Sequence, residues 1–120
     1  MHEASAAEAL VKMVSGVLEE RRAARESGPC ARVTKISLVV GEATGYMRES
    51  LEFYVAASAK GSPAEGAVLD ITYVKPLLRC PSCGLEFERR RFTFECPDCG
   101  TQGLMTKAGS EFYIDSIEIA

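Results

Sequence analysis

Cys80-Pro81-Ser82-Cys83-Gly84 and Cys96-Pro97-Asp98-Cys99-Gly100, with twelve residues between Cys83 and Cys96, decide how this chain must fold. Each Cys-x-x-Cys turn can aim two sulfurs at one point. A hairpin that brings two such turns together builds the tetrahedral four-sulfur cage that zinc accepts. The glycine after each second cysteine suits a backbone that turns through positive φ. Four thiolates leave no coordination position open for chemistry. The expectation is therefore a structural Zn(II) held by Cys80, Cys83, Cys96 and Cys99, acting as a staple.

The whole chain has 120 residues, enough for one compact domain plus a small metal-held lobe. Apolar residues make up 47% and charged residues 26%, the balance of an ordinary globular protein. No apolar run approaches the ~20 residues that span a bilayer, and the early Glu3 and mixed helical pattern do not read as a secretory signal. A cytoplasmic protein with no membrane partner is the expectation. Five cysteines, four of them at metal spacing, fit a reducing compartment better than a disulfide framework. The fifth, Cys30, reads as a small semi-buried residue. A net charge of −3 gives no global pull toward nucleic acid.

Hydrophobic periodicity supplies the elements. Residues 4 to about 25 read as a helix with Leu10, Met13, Val14, Val17 and Leu18 as its buried stripe, stopped by Ser27-Gly28-Pro29. Residues 32–41 read as a strand, with Ile36, Leu38 and Val40 alternating against Lys35, Ser37 and Val39. A turn from Gly41 to Gly45 leads into a helix from about Met47 to Lys60, with Leu51, Tyr54, Val55 and Ser58 on one face. Gly61-Ser62-Pro63 ends it. Residues 67–75 form a second strand, with Leu69, Ile71 and Tyr73 on one side, and Pro76 breaks it. Phe112 to Ile119 form a third, with Tyr113, Ile117 and Ile119 sharing a face. The fold class expected is α+β: a small three-stranded mixed sheet with two helices on one face, and an inserted zinc-ribbon lobe. The boundaries are 1–77 with 110–120 for the α/β domain and 78–109 for the ribbon.

The chain's single histidine, His2, has unusual chelating geometry. The amine of Met1, the amide nitrogen of His2 and its Nδ1 can close a five- and then a six-membered ring on one metal. The amide of Glu3 can complete a nitrogen set. Planar nitrogen donation suits Ni(II) or Cu(II) rather than zinc. The Glu3 carboxylate is close enough to serve as an oxygen ligand or to support one. Because amide donation requires deprotonation, such binding weakens as pH falls. Taken alone, the tripeptide reads more simply as a chance histidine on a frayed end.

Met1-His2-Glu3 opening an amphipathic helix, a strand ending in Gly41-Glu42, the doubled Cys-x-x-Cys and a terminal Ser116-Ile117-Glu118 strand form one ordered pattern. It resembles the HypA/HybF family of nickel metallochaperones for [NiFe]-hydrogenase maturation, over nearly the whole chain. The resemblance implies a nickel-binding α/β domain with a zinc-ribbon lobe. It implies delivery of Ni(II) to the hydrogenase large-subunit precursor together with a GTPase of the HypB type, and in some relatives service to urease. It makes His2 the nickel-binding histidine and Glu3 the acidic residue beside it, and Cys80, Cys83, Cys96 and Cys99 the zinc ligands. The sequence departs from some relatives at two places. Met47 stands where they carry an acidic side chain, and Gly84 and Gly100 stand where they carry histidines beside the knuckles.

Three other readings compete. Phe87, Arg89, Arg90, Arg91, Phe92 and Phe94 interleave basic and aromatic residues, as in a zinc-ribbon nucleic-acid module. From Arg79 to Lys107, however, five basic and four acidic side chains give +1, and a zinc with four thiolates brings the lobe to about −1. The phenylalanines are then expected to form the lobe's small core, and no nucleic-acid partner is expected. Iron in the cage, as in rubredoxin-like proteins, would colour the protein red, whereas zinc is colourless. An enzyme is not expected: one histidine, a closed metal site and no phosphate-binding loop leave no catalytic machinery, and Cys30 has no basic partner.

Overall fold

Leu10, Val14 and Leu18 stand one turn apart, and that spacing sets the face that the first helix buries. The computed structural model of the protein describes residues 2–24, 32–89 and 92–120. Helix α1 (Glu3–Ala24) buries Ala6, Ala7, Leu10, Val11, Val14 and Leu18. Met13 and Val17, expected in the stripe, are 61% and 39% exposed. Both flanks share Leu10, Val14 and Leu18, so periodicity alone cannot choose between them. The buried flank is the one that carries Ala6, Ala7 and Val11, and α1 packs on helix α2 (Arg48–Ala59).

Helix α2 buries Leu51, Val55 and Ala59, an i, i+4, i+8 row. Ala59 belongs to the buried row where Tyr54 and Ser58 were expected; Tyr54 is 37% exposed and Ser58 half-buried. The helix ends on Ser62, whose Oγ donates to the Ala59 carbonyl at 2.7 Å and accepts the Ala64 amide at 3.1 Å.

Strand β1 (Val33–Gly41) is the middle of a three-stranded sheet, flanked by β2 (Val68–Val74) and β6 (Phe112–Ile119). Being central, it is the most buried strand: Val33, Ile36, Leu38 and Val40 are all buried, as the alternation requires. Arg32 and Ala120 exchange both backbone hydrogen bonds, so β6 runs antiparallel to β1. On β6, Ile117 and Ile119 are half-buried, but Tyr113 is 51% exposed rather than sharing their cover.

A second sheet follows from the knuckles. Strands β3 (Leu77–Arg79), β4 (Glu86–Glu88) and β5 (Leu104–Met105) pair antiparallel in the order β4-β3-β5. Leu78 stands opposite Phe87, and both are buried with Cys80 and Cys96 in a small core that Leu85 and Phe94 partly cover.

The chain forms two compact units: Met1–Leu38 with Tyr46–Ile71 and Ile114–Ala120, and Val39–Gly45 with Thr72–Tyr113. Within the second, three backbone segments meet at a neck. A Cβ on Gly41 would lie 1.9 Å from the Gly109 carbonyl oxygen, and a Cβ on Gly109 would lie 2.7 Å from Pro76 Cα. The Gly41 amide donates to the Glu111 carbonyl at 2.7 Å, and the Ala43 amide to that of Gly109 at 2.8 Å. Gly41 has φ −75°, a conformation open to any residue, so space alone demands glycine there.

Gly41→Ala is accordingly expected to destabilise the protein by about 3 kcal/mol, a wholly steric cost against backbone. Gly16→Ala, on α1 with no atom within 4 Å of its would-be Cβ, is expected to stabilise it by about 0.5–1 kcal/mol. Urea denaturation of the two variants beside the parent protein checks both signs.

Candidate metal centres

The two knuckles are built alike. In the first, Cys80 N donates to Leu85 O and Gly84 N to Cys80 O, each at 2.9 Å. In the second, Cys96 N donates to Thr101 O at 2.8 Å and Gly100 N to Cys96 O at 2.9 Å. Both turns close through a glycine at positive φ, +77° at Gly84 and +75° at Gly100, as the sequence pattern requires. Here there is open space around each, so conformation rather than crowding selects glycine.

The four sulfurs lie within 4.8 Å of one another. Across the knuckles, Cys80 and Cys99 are 3.3 Å apart, Cys83 and Cys96 3.6 Å, and Cys83 and Cys99 4.0 Å. A tetrahedron with metal–sulfur bonds of ~2.3 Å has edges of about 3.8 Å. The three separations bracket that edge, so the donor set suits a tetrahedral metal. Cys80 and Cys96 are buried at the base of the cage, and Cys83 and Cys99 face solvent.

The electrostatics of the cage are asymmetric. The Cys83 amide, donating toward Cys80 Sγ at 3.5 Å, is the main influence that holds the Cys80 thiol down to about 6. The Leu85 amide favours the Cys83 thiolate. The neighbouring thiols of Cys80, Cys96 and Cys99, with burial, outweigh it and push Cys83 up to about 12. A metal ion is what allows all four sulfurs to be thiolates together.

Two residues at this centre carry no motif. The Thr101 hydroxyl accepts from Cys99 Sγ at 3.3 Å and donates to Ser82 Oγ at 3.2 Å, tying the second knuckle to the first. Only their places inside and just beyond the knuckles could have drawn attention to them. The basic-aromatic run is largely spent inside the lobe: Phe87 and Phe94 belong to the core, and the Arg89 guanidinium sits over the Phe94 ring at 4.4 Å from its centroid. Phe92 does not join that core; it is 91% exposed with φ +65°. Arg90 and Arg91 lie outside the described residues.

At the other candidate centre, His2 is exposed and immediately precedes α1. Its carbonyl accepts the Ala6 amide at 3.0 Å, so the helical hydrogen-bond ladder begins at His2 itself. Glu3 is the first helical residue and is half-buried. One of its carboxylate oxygens, Oε1, accepts the backbone amide of Met47 at 3.2 Å. Met47 is the N-cap residue of α2 and has no side-chain cap. The structure thus brings Met47 to Glu3 by its backbone, a contact without a side-chain signature in sequence. Met1 and Cys30 lie outside the described residues.

Two helices, a three-stranded sheet and a four-cysteine knuckle lobe together define an α+β protein with one preformed metal site. A family model described as hydrogenase/urease nickel incorporation metallochaperone, HypA, matches residues 1–119. The hydrogenase maturation factor HypA of Caldanaerobacter subterraneus subsp. tengcongensis is 43% identical over 120 residues, 99% of each chain. That of Chlorobaculum parvum is 37% identical over 119 residues, again 99% of each. The solution structure of the Ni metallochaperone HypA from Helicobacter pylori has the same fold, with a TM-score of 0.56 at 21% identity over 98% of this chain and 97% of that one. The chain belongs to the HypA family, a family of nickel metallochaperones in hydrogenase maturation and not of enzymes. No helix among the described residues is long and apolar enough to cross a membrane.

Metal at the cysteine cage has to compete with protons for the same sulfurs. With Cys83 held up near 12, loading at neutral pH expels its proton, so affinity falls as pH falls. Once pH drops below about 6, Cys80 protonates as well and the loss steepens. Competition with a chromophoric chelator across that range is expected to show this; a flat profile would contradict it. Gly84→Ala, which must hold positive φ, is expected to cost about 1–2 kcal/mol in denaturation of the metal-loaded protein.

Proposed function

We propose that the protein carries Ni(II) at its N-terminus and delivers it to the [NiFe]-hydrogenase large-subunit precursor, working with a GTPase of the HypB type in the cytoplasm. The observation that carries this reading is the placement of His2: exposed, next to Glu3, at the point where α1 begins. The proposed donors are the Met1 amine, the His2 amide and the imidazole Nδ1, with Glu3 beside them. Only the carbonyl of His2 enters the helical ladder, so chelation through its amide and imidazole nitrogens leaves α1 intact. The positive end of α1 favours the negative charge that deprotonated amides bring.

Cys80, Cys83, Cys96 and Cys99 hold Zn(II) in this proposal, within a ribbon lobe of residues 78–109, and the nickel-binding domain comprises 1–77 and 110–120. When bound, zinc supplies a closed structural cross-link and leaves no position for chemistry. Sulfur donors serve one metal and planar nitrogens the other, so the two ions do not compete for one site. A terminal chelate also suits transfer. Protonation of one donor opens the ring, and the ion can pass to a client without unfolding of the carrier.

His2→Ala is expected to lose the single nickel site, with affinity down at least about tenfold, while zinc content and circular dichroism stay as in the parent. Nickel titration of the untagged, zinc-loaded protein, with metal analysis, reads this out. Stoichiometric nickel retained at the N-terminus of the variant would overturn the assignment. An N-terminal extension of a few residues is expected to weaken nickel in the same way, because it removes the free amine.

A further inference from the structure

We propose that Glu3 acts on nickel as a positioning residue rather than as a ligand, by fixing the start of α1 to the N-cap of α2. This inference rests on the reading of Met1, His2 and Glu3 as the nickel site. Its basis is the hydrogen bond from the Met47 amide to Glu3 Oε1 at 3.2 Å. Met47 begins α2 in an extended conformation, φ −100° and ψ 144°, and no side chain caps that helix. Its own amide lies just before the helix and is paired with the carboxylate of the other helix's first residue. Its carbonyl accepts the Leu51 amide at 2.9 Å, and Leu51 is fully buried. A chain of bonds therefore runs from the Glu3 carboxylate through Met47 to the packed interior of α2.

The consequence falls on His2. A helix start that is not held down frays, and fraying would scatter the amide nitrogens that have to converge on one metal. Here the first turn is held from two sides: the His2 carbonyl by the Ala6 amide, and the Glu3 side chain by Met47. The Met1 amine, the His2 and Glu3 amides and the imidazole would together supply the four nitrogens of a planar set, so the carboxylate is free to serve this structural bond. The function at Met47 belongs to the backbone N–H, which methionine supplies as well as an acidic residue would.

Glutamine separates the two roles, since its carbonyl oxygen accepts the Met47 amide but carries no charge. Glu3→Gln is expected to bind nickel within about threefold of the parent with the same visible d–d band, and Glu3→Ala to bind about tenfold more weakly or worse. Hydrogen exchange of the Met47 amide without nickel is expected to quicken in Glu3→Ala and to stay slow in Glu3→Gln. Equal nickel loss in both variants, with the amide still protected in Glu3→Gln, would overturn the proposal and make the carboxylate a ligand. Unchanged nickel affinity in Glu3→Ala would overturn it too. His2→Ala, measured alongside, keeps the failures apart. Nickel retained there defeats the N-terminal site itself, whereas the Met47 exchange rates judge the hydrogen bond without any metal.

Discussion

The closest constraint in the molecule is the neck where Gly41, Gly109 and Pro76 stack backbone on backbone. The chain leaves β2 at Pro76, makes the whole knuckle lobe and returns at Gly109 before entering β6. Bringing those two points together closes a long loop, whose entropy cost must be met by contacts at the closure. The neck provides them: two backbone hydrogen bonds, a glycine with no side chain to obstruct, and a Glu111 carboxylate accepting the Gly109 amide at 2.7 Å. Because β6 pairs with β1 from Gly41 to Arg32, the neck also sets the register of the sheet's last strand.

Beyond the neck, burial rather than charge stabilises the described residues. No polar or charged side chain among them is buried. Four ion pairs among the described residues, 3.4–3.8 Å long, lie at exposed side chains and contribute about 0–1 kcal/mol each. Truncating one core side chain such as Leu51 typically costs about 2–5 kcal/mol, more than several of those pairs together. The knuckle lobe has a far smaller core, four buried residues of which two are cysteines. A core of that size cannot hold a lobe by burial alone, which is why the sulfurs converge to a spacing that a metal can bridge.

In the proposed function the two metals ask for different chemistry. Four sulfurs would make a closed cage, while nitrogens at a chain end would make a site that a proton can open. The chain offers different kinds of backbone for each: turns locked by positive-φ glycines at the cysteines, and the first residues of a helix beside His2.

Sequence by itself determined the elements and the four-cysteine cluster. Spacing of two and of three to four residues is a local property, so β1, β2, α1 and α2 were legible, as were two glycine-closed knuckles. Which flank of each helix is buried was not legible. Met13, Val17, Tyr54 and Ser58 fit the periodicity as well as Ala6, Ala7, Val11 and Ala59 do, and only the partner surface chooses. Phe92 likewise has a core residue's chemistry and an exposed position. The tertiary structure alone brought the Met47 amide to Glu3 and Thr101 to Ser82, and made Gly41 a contact point. A backbone donor has no residue type, and a glycine required for space looks the same as one required for φ. Contacts of that kind exist only once distant segments of the chain have been brought together.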